Sequence, residues 1–201
     1  TELCFLLMDD VKLKPIIRNR LGAVFLKHHG FNCHIADISQ KNDAKENLSD
    51  VDLTVITSYT TDPFSNSQIQ SSQQINEQLI RNAIKFSKDN STIIYFSTIR
   101  AFSHKIDPST PRFWSRPGYD KEKKYLEQVL FSECKKQKKR GFALRIGHVF
   151  GNNQSRTRKF KKIFSNKNVP VQVDPKKKSN VVHTVTIKDA ILRCAKSDIK
   201  P

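Results

Sequence analysis

The sequence predicts an α/β fold with a doubly wound parallel sheet, and three observations predict it. Short apolar runs of strand length alternate with longer segments whose apolar residues recur at helical spacing. The alternation continues from the N-terminus beyond residue 185. Two of the runs, residues 92–96 and 142–146, stop abruptly at polar or glycine residues, as strands do at the carboxyl edge of an open sheet. A chain of 201 residues can bury a substantial core, and we expect a single domain over residues 1–201.

The first elements are predicted to form a βαβ unit. Residues 3–8 are a continuous apolar run, which predicts a buried parallel strand. Apolar residues from Ile16 to Leu26 recur at helical spacing and end at Gly30, which predicts a helix with a glycine stop. Residues 31–36 predict the second strand, which ends at Asp37. An acidic residue there suits the adenosine ribose of a dinucleotide, but Asp37 could equally cap the strand before a polar loop.

The later elements repeat this pattern. Residues 42–50 form a polar crossover to a third strand at 51–57, and residues 65–72 are polar without periodicity. An amphipathic helix over roughly residues 73–88 leads into the strand at 92–96. A further helix begins at Gly118 and carries the apolar stripe Leu126, Val129, Leu130 and Cys134. Residues 180–185 and 187–192 predict a final strand and helix.

Tyr119, Lys123 and Thr98 are the candidate catalytic residues. A tyrosine titrates at about 10 in water, so it needs help to transfer a proton at neutral pH. Lys123 lies one helical turn after Tyr119 on the same face, where its ammonium is expected to lower the pKa of the phenol. Thr98 ends a strand and can hydrogen-bond a substrate oxygen. The Tyr-x-x-x-Lys spacing alone is not specific, because a solvated lysine-rich helix with Tyr119 packed at its start gives the same pattern.

Taken in order, these segments resemble the extended short-chain dehydrogenase/reductase family of NAD(P)-dependent sugar epimerases and dehydratases. The family's hydroxyl pair, Tyr-x-x-x-Lys and Leu-Arg-x-x-Asn-Val-Tyr-Gly motifs correspond to Ser97-Thr98, Tyr119…Lys123 and residues 144–151. The resemblance implies a Rossmann-like fold with a short, reduced substrate lobe at 151–201. It also implies that Tyr119 and Lys123 contact the cofactor, with Lys123 on the nicotinamide ribose, and that the spacing of Asp37 favours NAD over NADP.

The same resemblance implies a substrate and a partner. In the family, the region after residue 151 grips a nucleotide-sugar, which points to Arg156 and Arg158 as substrate contacts. His148 stands where the family has asparagine and is the third candidate. The helices near 73–88 and 119–138 correspond to those that form a four-helix homodimer interface in the family.

The first turn departs from the family. Counting back from Gly30 places Leu13, Ile16 and Asn19 where the family has the glycines of Gly-x-x-Gly-x-x-Gly. Side chains there obstruct the approach of a pyrophosphate to the backbone, and Pro15 removes an N–H donor. We therefore expect weak dinucleotide binding. Two interpretations stay open: a divergent enzyme, or a non-catalytic relative that serves as a scaffold.

The charge bears on the second interpretation. The chain has 36 Lys and Arg against 19 Asp and Glu, a net charge of +17. Basic runs at 135–140, 156–162 and 176–178 could merge into a patch for RNA or another acidic partner, or could reflect composition alone. The 4 cysteines show no metal spacing and no apolar run reaches membrane-spanning length. We therefore expect no metal and no membrane partner, and a reducing, cytoplasmic location.

Overall fold

The computed structural model describes residues 1–60, 72–102, 118–165 and 180–196, without the side chains of Ser155, Arg156 and Phe164. Its helices and strands, in chain order, are α1 (Glu2–Leu7), β1 (Ile16–Ile17), α2 (Arg20–His28), β2 (His34–Ile35), α3 (Lys41–Leu48), β3 (Leu53–Ile56), α4 (Ser72–Phe86), β4 (Thr92–Thr98), a 3₁₀ turn (Ile99–Phe102), α5 (Tyr119–Lys136), β5 (Arg140–Ile146), β6 (His148–Phe150), α6 (Ser155–Ser165), β7 (Val181–His183) and α7 (Thr184–Lys196).

These elements divide between two compact units. The larger unit comprises residues 14–145 and 194–201, and the smaller comprises residues 1–13 and 146–193. The larger unit therefore holds β1 to β5 with α2 to α5. The smaller unit holds α1, β6, α6, β7 and most of α7.

The larger unit is built on parallel strands. β1 pairs with β2, and β3 pairs with β4 from Leu53 opposite Thr92 to Ile56 opposite Tyr95, with β5 on the other side of β4. Helices α4 and α5 pack on each other, and their apolar faces close the core over the sheet. The α5 residues in this core are Leu126, Val129, Leu130 and Cys134, the stripe that the sequence predicts. The predicted α/β class is confirmed.

The start of the chain differs from the prediction. Residues 3–8 were expected to form the first strand, but they belong to helix α1. An apolar run of this length does not distinguish a short strand from a buried helix. The first strand is instead Ile16–Ile17, just after Pro15. Helix α2 accordingly begins only at Arg20, and the Asn19 side chain caps it by accepting a hydrogen bond from Gly22 N at 2.8 Å.

Elsewhere the predicted elements are found with shifted ends. The strands expected at 31–36, 51–57, 92–96 and 142–146 correspond to β2, β3, β4 and β5, and the final strand and helix to β7 and α7. Two helices were not predicted: α3 lies in the polar crossover and α6 in the basic segment. Both have so few apolar residues that hydrophobic periodicity gives little signal there.

In the smaller unit, β6 and β7 pair in parallel, with His148 opposite Val181. The carboxylate of Glu2, a residue only 7% exposed, is the polar centre of this unit. It accepts hydrogen bonds from Thr184 Oγ1 at 2.8 Å, Asn152 N at 2.9 Å, Asn153 N at 3.1 Å and Gln154 Nε2 at 3.1 Å. Residue 151 must be glycine here, because a Cβ would lie 2.3 Å from Glu2 Oε1.

Candidate active site

Lys123 is a buried lysine of the larger unit, and lysines are rarely buried. It is only 4% exposed, on the face of α5 that packs on β4. Its ammonium donates a hydrogen bond to Phe96 O at 2.8 Å. Tyrosine rings surround the rest of it: the Nζ atom lies 4.3 Å from the ring centroid of Tyr59, 4.5 Å from that of Tyr95 and 5.8 Å from that of Tyr119. Burial lowers the pKa of Lys123 to about 8, against the opposing effect of Glu122 and Glu127.

Tyr119 is the first residue of α5, and Gly118 sets where the helix starts. Gly118 has a φ of 82°, a left-handed conformation that suits glycine. The Tyr119 ring is half-buried and meets the Tyr59 ring edge to face, with 5.2 Å between the centroids. The expectation that Lys123 lowers the pKa of Tyr119 is wrong here: burial raises that pKa, and the opposing positive charge is Arg100. The Lys123 ammonium instead packs against the tyrosine rings and donates a hydrogen bond to the carbonyl of Phe96.

Thr98 ends β4, as predicted, and lies in the same neighbourhood. It is buried, and its Oγ1 accepts a hydrogen bond from Arg100 N at 3.3 Å. The Arg100 guanidinium is the positive charge that opposes the rise in the pKa of Tyr119. Two further hydroxyls on β4, those of Tyr95 and Ser97, are buried and have no hydrogen-bond partner within the described ranges. Such groups are uncommon in native proteins and are typical of places where a ligand or water completes the site.

Asn76 supports this site, although sequence reasoning did not include it. In the family that the sequence resembles, the helix corresponding to α4 often starts with an asparagine that supports catalysis. Asn76 lies a few residues away from that position in the sequence. In the structure Asn76 lies on α4 and is buried. Its side chain accepts a hydrogen bond from Thr60 N at 2.8 Å and donates to Thr60 O at 3.0 Å and Glu122 Oε1 at 3.0 Å. One amide therefore connects the chain after β3 to the residue beside Lys123. The signal for it was a polar residue on the apolar face of an amphipathic helix.

Asp37 and the turn before α2 form the other part of the predicted cofactor site. Asp37 follows β2, and its Oδ1 accepts hydrogen bonds from Ser39 N at 3.0 Å and Ser39 Oγ at 2.7 Å. This is the local capping role that the sequence left open. Between β1 and α2 the turn consists of Arg18 and Asn19.

The candidate substrate residues lie in the smaller unit. His148 begins β6 and is exposed, and its backbone N–H donates to Asn180 O at 2.8 Å. Arg158 is exposed on α6. Arg156 belongs to the same helix, but its side chain lies outside the described residues, as do Lys176, Lys177 and Lys178. Their roles stay predictions.

The described residues hold neither a metal-binding cluster nor a membrane-spanning helix. Within residues 1–60, 72–102, 118–165 and 180–196, no group of three or more histidines, cysteines or acidic residues could hold a metal ion. The four cysteines, all within the described ranges, form no disulfide with one another. No helix in the described part of the chain is long and apolar enough to cross a membrane. The predicted homodimer helices, α4 and α5, also carry an ion-pair network in which Arg81 contacts Glu77 and Glu133, both at 2.7 Å. The dimer stays a prediction.

Neither a protein-family model nor a curated protein sequence matches this chain. Solved structures do. The UDP-N-acetylglucosamine 4-epimerase of Methanobrevibacter ruminantium M1 superimposes with a TM-score of 0.70 at 20% identity, over 98% of this chain and 69% of that one. The UDP-N-acetylglucosamine 4-epimerase of Bacillus cereus gives 0.68 at 18% identity, over 98% and 67%.

A third similar structure is the Bacillus cereus UDP-glucuronic acid 4-epimerase, determined in complex with UDP-glucuronic acid and NAD. It gives a TM-score of 0.65 at 17% identity, over 99% of this chain and 70% of that one. At these identities the likeness concerns the fold. The resemblance inferred from the sequence is thus confirmed at the level of architecture: the chain has the Rossmann-like fold of the nucleotide-sugar epimerases.

Proposed function

We propose that this chain is an NAD(P)-dependent enzyme of the nucleotide-sugar epimerase, dehydratase or reductase type. The observation that carries the proposal is the grouping of Thr98, Tyr119 and Lys123 where β4 ends and α5 begins. Lys123 donates to a β4 carbonyl and lies 5.8 Å from the Tyr119 ring centroid, and Thr98 accepts from the backbone N–H of Arg100, whose charge acts on the pKa of Tyr119. The occurrence of Thr98, Tyr119 and Lys123 together, in a chain with this fold, supports an epimerase, dehydratase or reductase reaction.

Tyr119 is proposed to move the proton. Because burial raises its pKa, the resting phenol keeps its proton and is suited to donate it to a substrate oxygen that gains negative charge. In the reverse direction, the positive charge of Arg100 favours the phenolate. Thr98 Oγ1 accepts the Arg100 N–H, so its own hydroxyl proton is left to orient a substrate oxygen.

The fit of these residues to a dinucleotide differs between the two ends of the site. A nicotinamide cofactor would supply hydride transfer. Lys123 is the residue to hold its nicotinamide ribose, and Asp37 the residue for the adenosine ribose, where a carboxylate favours NAD. The pyrophosphate end fits poorly: the turn is short, and Asn19 already accepts the N–H of Gly22. We therefore expect micromolar NAD or NADP to give no saturation in calorimetry, and tight stoichiometric binding would contradict this reading of the turn.

The test of the reaction is a single hydroxyl. With UDP-N-acetylglucosamine or UDP-glucuronic acid and excess NAD, Tyr119→Phe should reduce turnover by roughly two to four orders of magnitude, the usual loss for a general acid or base. Tyr125→Phe is the matched control. Tyr125 lies on the same helix as Tyr119, and the substitution removes a phenol that donates to Glu77 Oε2. Equal turnover in Tyr119→Phe and the parent would contradict the assignment.

A second candidate function is that of a non-catalytic scaffold for RNA or another acidic partner. It is favoured by α6, whose exposed residues include Arg158, Lys159, Lys161 and Lys162. A polyanion-binding surface releases counterions, so log affinity for RNA should fall linearly with log salt, by about 0.7–0.9 per phosphate neutralised. Glutamine at these positions and at Arg156 should flatten the slope while the melting temperature stays unchanged. A flat slope in the parent chain would exclude this candidate.

A further inference from the structure

The ammonium of Lys123 is covered in this structure, yet the proposed function requires it to contact a ligand. At 4% exposure, it has no direct route to a ribose or sugar hydroxyl. Among the described residues, the rings of Tyr59, Tyr95 and Tyr119 pack against it. Tyr95 lies in the buried strand β4 and belongs to the core, and Tyr119 is the proposed proton carrier. Tyr59 is half-buried, and its ring is the nearest to the ammonium.

We propose that Tyr59 controls access to the site: its ring covers Lys123 and positions Tyr119, and it must rotate away before Lys123 can donate to a ligand hydroxyl. Tyr59 follows β3, at the carboxyl end of the strand, where ligands bind in open α/β sheets. Its ring contacts both functional groups, 4.3 Å from Lys123 Nζ and 5.2 Å from the Tyr119 ring centroid. It therefore acts through these two residues as a positioning residue. The proposal rests on the proposed function for the identity of the ligand.

The movement is a rotation of the side chain, because the backbone beside it is held. Asn76 bonds to both the N–H and the carbonyl of Thr60, the next residue, at 2.8 and 3.0 Å. The same amide donates to Glu122, which precedes Lys123. Arg18 Nη1 approaches Thr60 Oγ1 at 3.5 Å from the turn after β1. The end of β3 is thus attached to α4 and α5, so that uncovering Lys123 requires the Tyr59 side chain, rather than the backbone, to move.

The chemical class of the ligand follows from the group it must displace, which is the Tyr59 ring over the Lys123 ammonium. A tyrosine face attracts an ammonium through its quadrupole, at roughly 0.5–2 kcal/mol. A ligand hydroxyl can take that place by accepting a hydrogen bond from Lys123, and the nearby hydroxyls of Tyr95 and Ser97 are further polar groups for a polyhydroxylated ligand. A nucleoside or sugar with vicinal hydroxyls is the chemistry that would displace the Tyr59 ring. Its binding is weakened by the free energy needed to rotate that ring.

Lysine labelling tests the cover without a cofactor. The chain is treated with a limiting amount of an acetylating reagent, and mass spectrometry gives the rate at Lys123 relative to the exposed Lys121 and Lys124 on the same helix. Tyr59→Ala should raise that ratio about tenfold, the equivalent of roughly 1.4 kcal/mol of lost cation–π contact and shielding. Tyr59→Phe keeps the ring and should leave the ratio unchanged. Tyr125→Ala, which removes a ring elsewhere on α5, is the matched control. Circular dichroism checks folding, and Tyr59→Leu replaces any Tyr59→Ala protein that fails to fold.

Equal labelling of Lys123 in the parent, Tyr59→Ala and Tyr59→Leu would overturn the proposal. A second measurement separates it from the proposed function: calorimetry of NAD and of uridine diphosphate on the same variants. Tighter binding of either ligand to Tyr59→Ala, together with faster labelling, supports both proposals. Faster labelling with no binding by any variant supports the cover and counts against the enzyme. Faster labelling with unchanged, measurable binding overturns the role of Tyr59 in access.

Discussion

Glu2 in the smaller unit and Lys123 in the larger are buried charged side chains with very different surroundings. The Glu2 carboxylate accepts hydrogen bonds from two backbone N–H groups, a threonine hydroxyl and a glutamine amide. The Lys123 ammonium has one carbonyl acceptor and otherwise faces aromatic rings. The two are almost equally buried, at 7% and 4% exposure.

The pKa values of the two groups differ in the way that this difference in hydrogen bonding predicts. For Glu2, burial is the largest influence and raises the pKa, but the hydrogen bonds together outweigh it and the pKa is lowered. For Lys123, burial prevails and lowers the pKa to about 8. A buried charge whose hydrogen-bonding partners are fully supplied belongs to the structure. A buried charge with too few such partners is destabilising in the resting protein, and such residues cluster at functional sites.

The largest expected effect on stability is that of Glu2→Ala. It would leave the buried Thr184 hydroxyl without its acceptor, at about 1–3 kcal/mol for an unsatisfied buried group, and would remove the acceptor of the N–H groups of the exposed Asn152 and Asn153. We expect the free energy of unfolding of the protein to fall by about 2 kcal/mol, measured by urea titration. Glu2→Gln keeps one acceptor oxygen and should lose less. If Glu2→Ala matched the parent in stability, the carboxylate would not be the organising group of this unit.

Lys123→Met should change the free energy of unfolding in the opposite direction from Glu2→Ala. Methionine fills a similar volume among the same rings and leaves only the Phe96 carbonyl without its donor. Replacing a poorly compensated buried charge by an apolar side chain is often neutral or stabilising, by up to about 1–4 kcal/mol. We expect the chain to keep or gain stability in urea, by about 1 kcal/mol, while losing turnover of nucleotide-sugars. A loss of stability similar to that of Glu2→Ala would show that the two charges have the same structural role.

The same comparison explains what sequence reasoning could and could not reach. Periodicity predicts α4, α5 and the strands beside them, because their apolar residues face one core. It misplaces the first strand, because a six-residue apolar run is compatible with either helix or strand. Tyr119, Lys123 and Thr98 were predicted from spacing and resemblance. Tyr59, Asn76 and Glu2 were not, because each acts through contacts with residues distant in the chain: Glu2 and Thr184 are separated by 182 positions.

The smallest expected effect is a difference in pH dependence between the two charges. A lowered carboxyl pKa contributes stability that is present above pH 4.5, the ordinary value, and is lost as pH falls through the folded pKa. A lowered lysine pKa has the opposite consequence. Between pH 8 and 10.5 the unfolded chain keeps a proton that the folded chain has released, so stability rises with pH across that window. Below pH 8 both states are protonated, and the folded state bears the full cost of the buried ammonium.

Other groups titrate in both ranges, so the measurement is a difference between variants. The stability of the parent minus that of Glu2→Gln should decrease as pH falls below 4.5. The stability of the parent minus that of Lys123→Met should increase from pH 8 to 10.5. Because Tyr59 supplies the nearest ring, Tyr59→Ala should shift the lower end of that window upward as water reaches the ammonium. A parent-minus-Lys123→Met difference that is flat from pH 8 to 10.5 would mean that Lys123 is solvated in solution, and Tyr59 would then have nothing to cover.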